Sequence, residues 1–138
     1  MDETASRTPE LSLEDTFLRA VAGLPEEDAR AEVVAEALGY LQQGFDAHYA
    51  GRGTTEDVLV GDNAYAMAVD TIARLDEPRF VAVASRMIRD GAGRIAAGGK
   101  VSLQTWTPHL AGLLDIISEE GEERSEARIR EAVRELRG

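Results

Sequence analysis

Residues 54–75 read TTEDVLVGDNAYAMAVDTIARL, and this stretch decides the fold class. Thr54 opens a capping signature: its hydroxyl can accept from the first turn, and Asp57 three residues on can reach back. Glu56 and Asp57 also suit the positive end of a helix dipole. Val58, Leu59 and Val60 follow, then Gly61 and Asp62, then the run Ala64-Tyr65-Ala66-Met67-Ala68-Val69. A helix apolar on nearly every side belongs inside a bundle, so 54–75 is expected to be the central helix. Gly61 costs about 1 kcal/mol against alanine within a helix, and close approach by a neighbouring helix is the expected reason for it. Asp62 shares a stripe with Val58, Leu59, Tyr65 and Ala66. It is therefore expected to be buried, and hydrogen-bonded near His48 on the preceding helix or to an arginine of the following one.

Working outward, the N-terminal residues 1–11 are polar and expected to be disordered. Ser12 with Asp15 signals a helix over 13–22, with Phe17, Leu18 and Val21 apolar and Gly23 ending it. Pro25 suits a first-turn position of a second helix, followed by Glu26, Glu27 and Asp28. That helix carries Val33, Val34, Ala37, Leu38, Leu41 and Phe45 at helical spacing and is expected to reach about Tyr49. Gly39 and Gly44 inside it suggest close contacts or a kink, and 50–53 is a connection. Downstream, Asp76 is expected to cap a helix with Glu77 and Pro78 in its first turn. Gly91 and Gly93 are expected to bend or fray it before 97–99 end it. Residues 100–106 read as loop or a single helical turn, with Thr107-Pro108 as the next helix start. Leu110, Leu113, Leu114, Ile116 and Ile117 make that helix strongly apolar. The last segment, 122–138, is narrowly amphipathic and reads as a peripheral C-terminal helix. The expectation is thus an all-α bundle of about five to six helices over 12–121, with 122–138 at its edge.

Composition limits the function classes. The chain has 138 residues, enough for one core, and its 43% hydrophobic content is ordinary for a folded domain. Aromatics are only 5%, so the core must be built from Ala, Val, Leu and Ile. The absence of cysteine excludes disulfides and thiolate metal sites. A formal net charge of −11 argues against nucleic acid and anionic membrane surfaces as partners. No apolar run approaches a membrane span, and the acidic start lacks a signal core, so a cytoplasmic location is expected. Lys100 is the only lysine. A GC-rich genome accounts for that bias, with a high-salt habitat as the alternative that also fits the acid excess.

The chemistry-bearing residues are few. Asp46 and His48 are two apart and face different sides of a helix. Asp46, His48 and Asp62 converge only if two helices bring them together, as a polar network that satisfies Asp62 or as a ligand contact. Neither His48 nor His109 sits in a nucleophile motif, and Gly51-Arg52-Gly53 lacks the strand and length of a phosphate loop. No catalytic residue and no metal site is assigned.

Residues 41–75, LQQGFDAHYAGRGTTEDVLVGDNAYAMAVDTIARL, resemble the all-helical trans-polyprenyl diphosphate synthases. Val58-Leu59-Val60-Gly61-Asp62 is similar to their apolar Gly-Asp helix, and the likeness extends over about 41–99. It implies a truncated isoprenoid-synthase-like fold. Catalytic members carry two Asp-Asp-x-x-Asp motifs that hold magnesium on a diphosphate, and this chain has neither. Only Asp46 remains where the first would fall. Phe45-Asp46-Ala47-His48 and Leu59-Val60-Gly61-Asp62 more closely resemble the small non-catalytic subunit of two-component heptaprenyl diphosphate synthases. The resemblance implies an accessory subunit that pairs with a catalytic one and helps set product chain length. It also implies no cofactor, magnesium entering only through that partner, and no prenyl transfer by this chain alone. The alternative from a different class is a small helical homodimer with a structural or apolar-ligand-binding role.

Overall fold

The computed structural model describes residues 11–50, 54–99 and 102–138, and every regular element among them is helical. Six helices follow in order: α1 Leu13–Ala22, α2 Arg30–Ala50, α3 Thr55–Ala73, α4 Pro78–Ala96, α5 Leu103–Ser118 and α6 Glu122–Arg137. None is long and apolar enough to cross a membrane. The expected all-α bundle is what forms. Residues 1–10, 51–53 and 100–101 lie outside the described residues, and so do the expectations placed on them. Leu11 packs against the core.

Local caps set the helix starts. Ser12 Oγ accepts from Asp15 N at 2.9 Å, and Thr54 Oγ1 accepts from Asp57 N at 3.1 Å, each as its sequence suggests. The other three starts with side-chain caps differ from expectation. Pro25 precedes α2 rather than entering it. Asp28 is the residue whose carboxylate accepts from Arg30 N, at 2.9 Å, and it also holds the Arg30 guanidinium. Glu77, not Asp76, caps α4; Asp76 takes a left-handed conformation at φ 52° that turns the chain. Helix α5 begins at Leu103, where a loop or single turn was expected. Ser102 and Thr105 form a reciprocal capping box, and Leu103 and Trp106 bury in the first turn. Pro108 then lies inside α5 instead of starting it. Its missing N–H removes one bond near the N-terminal end, and the buried side chains of α5 outweigh that loss.

The core corrects the expected centre. Helix α2 packs against α1, α3, α4 and α5, and α5 buries seven residues from Leu103 to Ile116. Helix α3 is less enclosed: Val58, Leu59 and Val60 are 45%, 61% and 53% exposed. Its buried stripe is Gly61, Ala64, Tyr65, Ala68, Thr71 and Ile72, one face of an ordinary amphipathic helix. An apolar composition all round did not mean burial all round. Helix α4 runs unbroken through Gly91 and Gly93. At the edge of the bundle α6 packs on α1 and α5 with Ile129 and Ala132 buried, so 122–138 shares the one core rather than lying outside it.

Candidate functional site

The α2–α3 pair carries both polar segments singled out above. Helix α2 delivers His48 near its C-terminal end, and α3 receives the ring in the gap left by Gly61. A Cβ on Gly61 would stand 2.1 Å from His48 Nε2, so only glycine leaves the seat open. Gly44 performs the reciprocal service: a Cβ there would stand 2.2 Å from the Tyr65 ring. Two glycines, one on each helix, thus let α2 and α3 approach closely where a ring from each crosses to the other.

His48 bridges the two helices through both ring nitrogens. Nε2 lies 3.3 Å from the Val58 carbonyl and 3.5 Å from Asp62 Oδ1, while Nδ1 lies 3.1 Å from Tyr65 Oη. The carbonyl can only accept, so Nε2 carries a proton. In the neutral ring Nδ1 is then an acceptor, and the Tyr65 hydroxyl donates to it. The ring edge also meets the Tyr65 face in a T-shaped contact with centroids 5.0 Å apart. Burial pushes the Tyr65 pKa up to about 12, and the negative charge of Asp62 acts in the same direction.

Asp62 itself is not buried. Its side chain is 62% exposed, against 18% for His48, and it reaches the imidazole from the solvent side. The expected inward carboxylate is corrected: the position rotates just past the buried stripe, and water rather than a buried partner solvates most of it. Asp46 does not join the pair. It is exposed and accepts from Gln42 Nε2 at 3.4 Å along its own helix. The structure therefore brings His48 and Asp62 together and leaves Asp46 apart, as their two-residue separation on α2 requires. Tyr65 is the member that sequence reasoning placed on the stripe without giving it a role. Its position four residues after Gly61 was the available signal.

An aromatic file runs inward from this bridge. Phe45 lies 5.5 Å from Tyr65 and stacks on Trp106 at 4.5 Å; Trp106 lies 5.9 Å from His109. Gly91 makes room for that stack, since a Cβ would stand 2.5 Å from Phe45. His109 Nε2 in turn bonds Asp90 Oδ2 at 2.9 Å, tying α5 to α4. Sequence spacing carried no signal for that pair, which meets only through the fold.

Both nitrogens of His48 are engaged, and its partners are helix-packing groups. The arrangement holds helices in register; it does not present a nucleophile with a base. Among the described residues no three His, Cys, Asp or Glu side chains gather to hold a metal ion. Two shallow grooves flank the exposed α3 strip. One, of about 230 Å³, is lined by His48, Val58, Ala92 and Ile95; the other, of about 310 Å³, by Tyr40, Gln43, Val60 and Met67. No protein-family model, curated protein or solved structure matches this chain.

Proposed function

We propose that the protein acts by binding another polypeptide, as a non-catalytic accessory subunit of a heptaprenyl-type polyprenyl diphosphate synthase. In this reading it contributes to assembly and to product chain length, and the partner supplies magnesium and chemistry. The observation that carries the reading is the strip Val58-Leu59-Val60. Three consecutive large apolar residues stand about half exposed on the helix that bears the family resemblance. The groove beside Val60 extends that surface along α3 to Met67 and across to Tyr40 of α2. The rigid α2–α3 bridge supports the reading by presenting the strip from a fixed scaffold, which lowers the ordering cost of binding.

Co-expression with a full-length synthase from the same genome tests it. The expected result is co-purification, a change in product length relative to the synthase alone, and loss of both with Val60→Asp. Failure to co-purify together with unchanged products would overturn the reading.

A further inference from the structure

Charge is segregated between two neighbouring helices. Helix α3 carries Glu56, Asp57, Asp62 and Asp70 and no basic residue, a net of −4. Helix α4 carries four arginines against Asp90 alone, a net of +3, and no other helix among the described residues is net positive. Arg79 is held by Glu77 at 2.7 Å. Arg86, Arg89 and Arg94 are exposed and make no ion pair or side-chain hydrogen bond with any described residue. In a protein with a large excess of carboxylates, three unpaired guanidiniums on one helix call for an acidic partner surface.

Such a surface lies next to them, on the same chain, yet within one molecule it does not reach them. Helices α3 and α4 pack side by side, and both present their outer faces to solvent. On α3 the exposed positions Asp62 and Asp70 alternate with Ala66 and Ala73; on α4 Arg86 and Arg89 stand between Ala82 and Gly93. Small residues keep this two-helix face flat between its charges. Val58 shares a groove with Ala92, Ile95 and Ala96, which sets the antiparallel register of the pair. One turn further along α3, Asp62 is then level with Arg89, and Asp70 falls within about one turn of Arg86.

We propose that this face binds a second copy of the same chain about a two-fold axis parallel to the helices. A two-fold of that kind lays α3 of one copy on α4 of the other, twice. It keeps each residue at its own level, so Asp62 of each copy meets Arg89 of its partner and Asp70 meets Arg86. The four arginine–carboxylate contacts give Arg86 and Arg89 the partners they lack in the separate chain, where Asp62 lies 3.5 Å from His48 and Asp70 3.7 Å from Arg74. Two 19-residue helices, each about 28 Å long and about 10 Å from its neighbour, offer a footprint of about 550 Å² per copy. The total of about 1,100 Å² lies at the lower end for a specific interface, so the pair dissociates on dilution. This contact is separate from the groove beside Val60 and requires no synthase.

Analytical ultracentrifugation of the full chain over a wide concentration range tests it. A concentration-dependent monomer–dimer equilibrium is expected. Arg89→Glu should raise the dissociation constant about tenfold or more, whereas Arg137→Glu, the same charge change on α6, should alter it by less than about threefold. Asp62→Arg should weaken the dimer as Arg89→Glu does. The exchanged double variant Asp62→Arg/Arg89→Asp should restore it to within about threefold of the parent. Circular dichroism confirms that each variant is folded. A parent chain that stays monomeric throughout, a dimer indifferent to Arg89→Glu, or an exchange that fails to restore association would each overturn the proposal. Val60→Asp should leave this equilibrium unchanged while abolishing synthase binding, so the two readings fail separately.

Discussion

At Gly61 an added methyl has nowhere to go unless the His48 ring leaves its seat, giving up the Tyr65 and Val58 contacts together. Gly61→Ala should therefore destabilise the protein by about 2–3 kcal/mol in urea unfolding, from overpacking and stranded hydrogen-bond partners. In a His48→Ala background the obstruction is gone. There the same substitution should cost less than about 0.5 kcal/mol, or stabilise, because alanine is the better helix former. Equal costs in the two backgrounds would show that something other than the ring fills the gap. Tyr65 adds a pH signature. Its folded pKa of about 12 exceeds the ordinary value of 10, so its neutral form stabilises the fold fully below pH 10, and that contribution is lost as pH rises from 10 towards 12. Ultraviolet titration should show a tyrosinate step near 12 that is absent from Tyr65→Phe, and the variant's denaturation midpoint should fall less over that interval.

Among the elements, α4 separates two glycines that look alike in sequence. Gly91 is buried against Phe45 and Trp106, whereas a Cβ at Gly93 would meet nothing within 4 Å. Both sit in unbroken helix without positive φ. Gly93→Ala should therefore stabilise by about 0.5–1 kcal/mol through the unfolded chain's lost freedom, read as a raised urea midpoint. Gly91→Ala should destabilise, since its methyl meets two packed rings. A drop in stability for Gly93→Ala would mean that α4 needs flexibility at that turn. In α2 and α5 the starts are set by Asp28 and Ser102, whose side chains satisfy orphan amides. The prolines nearby, Pro25 and Pro108, are compatible with helix entry but do not impose it.

For the molecule as a whole, α6 is the test of unity. Ile129 and Ala132 are buried, and Arg128 reaches across to the Gly23 carbonyl at 2.9 Å while holding Glu120 at 2.6 Å. That guanidinium keeps the Glu120 carboxyl below its ordinary range, chiefly through the hydrogen bond. It joins the end of α1 to the α5–α6 turn. Ending the chain after Gly121 would uncover the α1 and α5 surfaces that α6 covers. The truncated protein should lose cooperative unfolding and bind a hydrophobic dye, as a partly packed helical state does. Retention of a sharp transition by residues 1–121 would make the last helix an independent appendage.

The helical class, the Ser12 and Thr54 caps and the expected close approach at Gly61 were legible in the sequence, because capping and the 3.6-residue period are local properties. Half of the candidate site was legible too: His48 and Asp62 stood in segments that any α2–α3 hairpin would bring near one another. Tertiary structure decided the rest. Whether Val58, Leu59 and Val60 are core or surface depends on which faces α2 and α4 cover, and periodicity within α3 contains no information about that. Asp62 faces water because the stripe that buries is centred on Gly61, Ala68 and Ile72, a rotation set by the neighbours rather than by α3 itself. The ring file joins Tyr65 to Phe45 across 20 positions and Phe45 to Trp106 across 61. Contacts at such separations come only from packing, where burying apolar rings together outweighs the entropy of closing the chain between them.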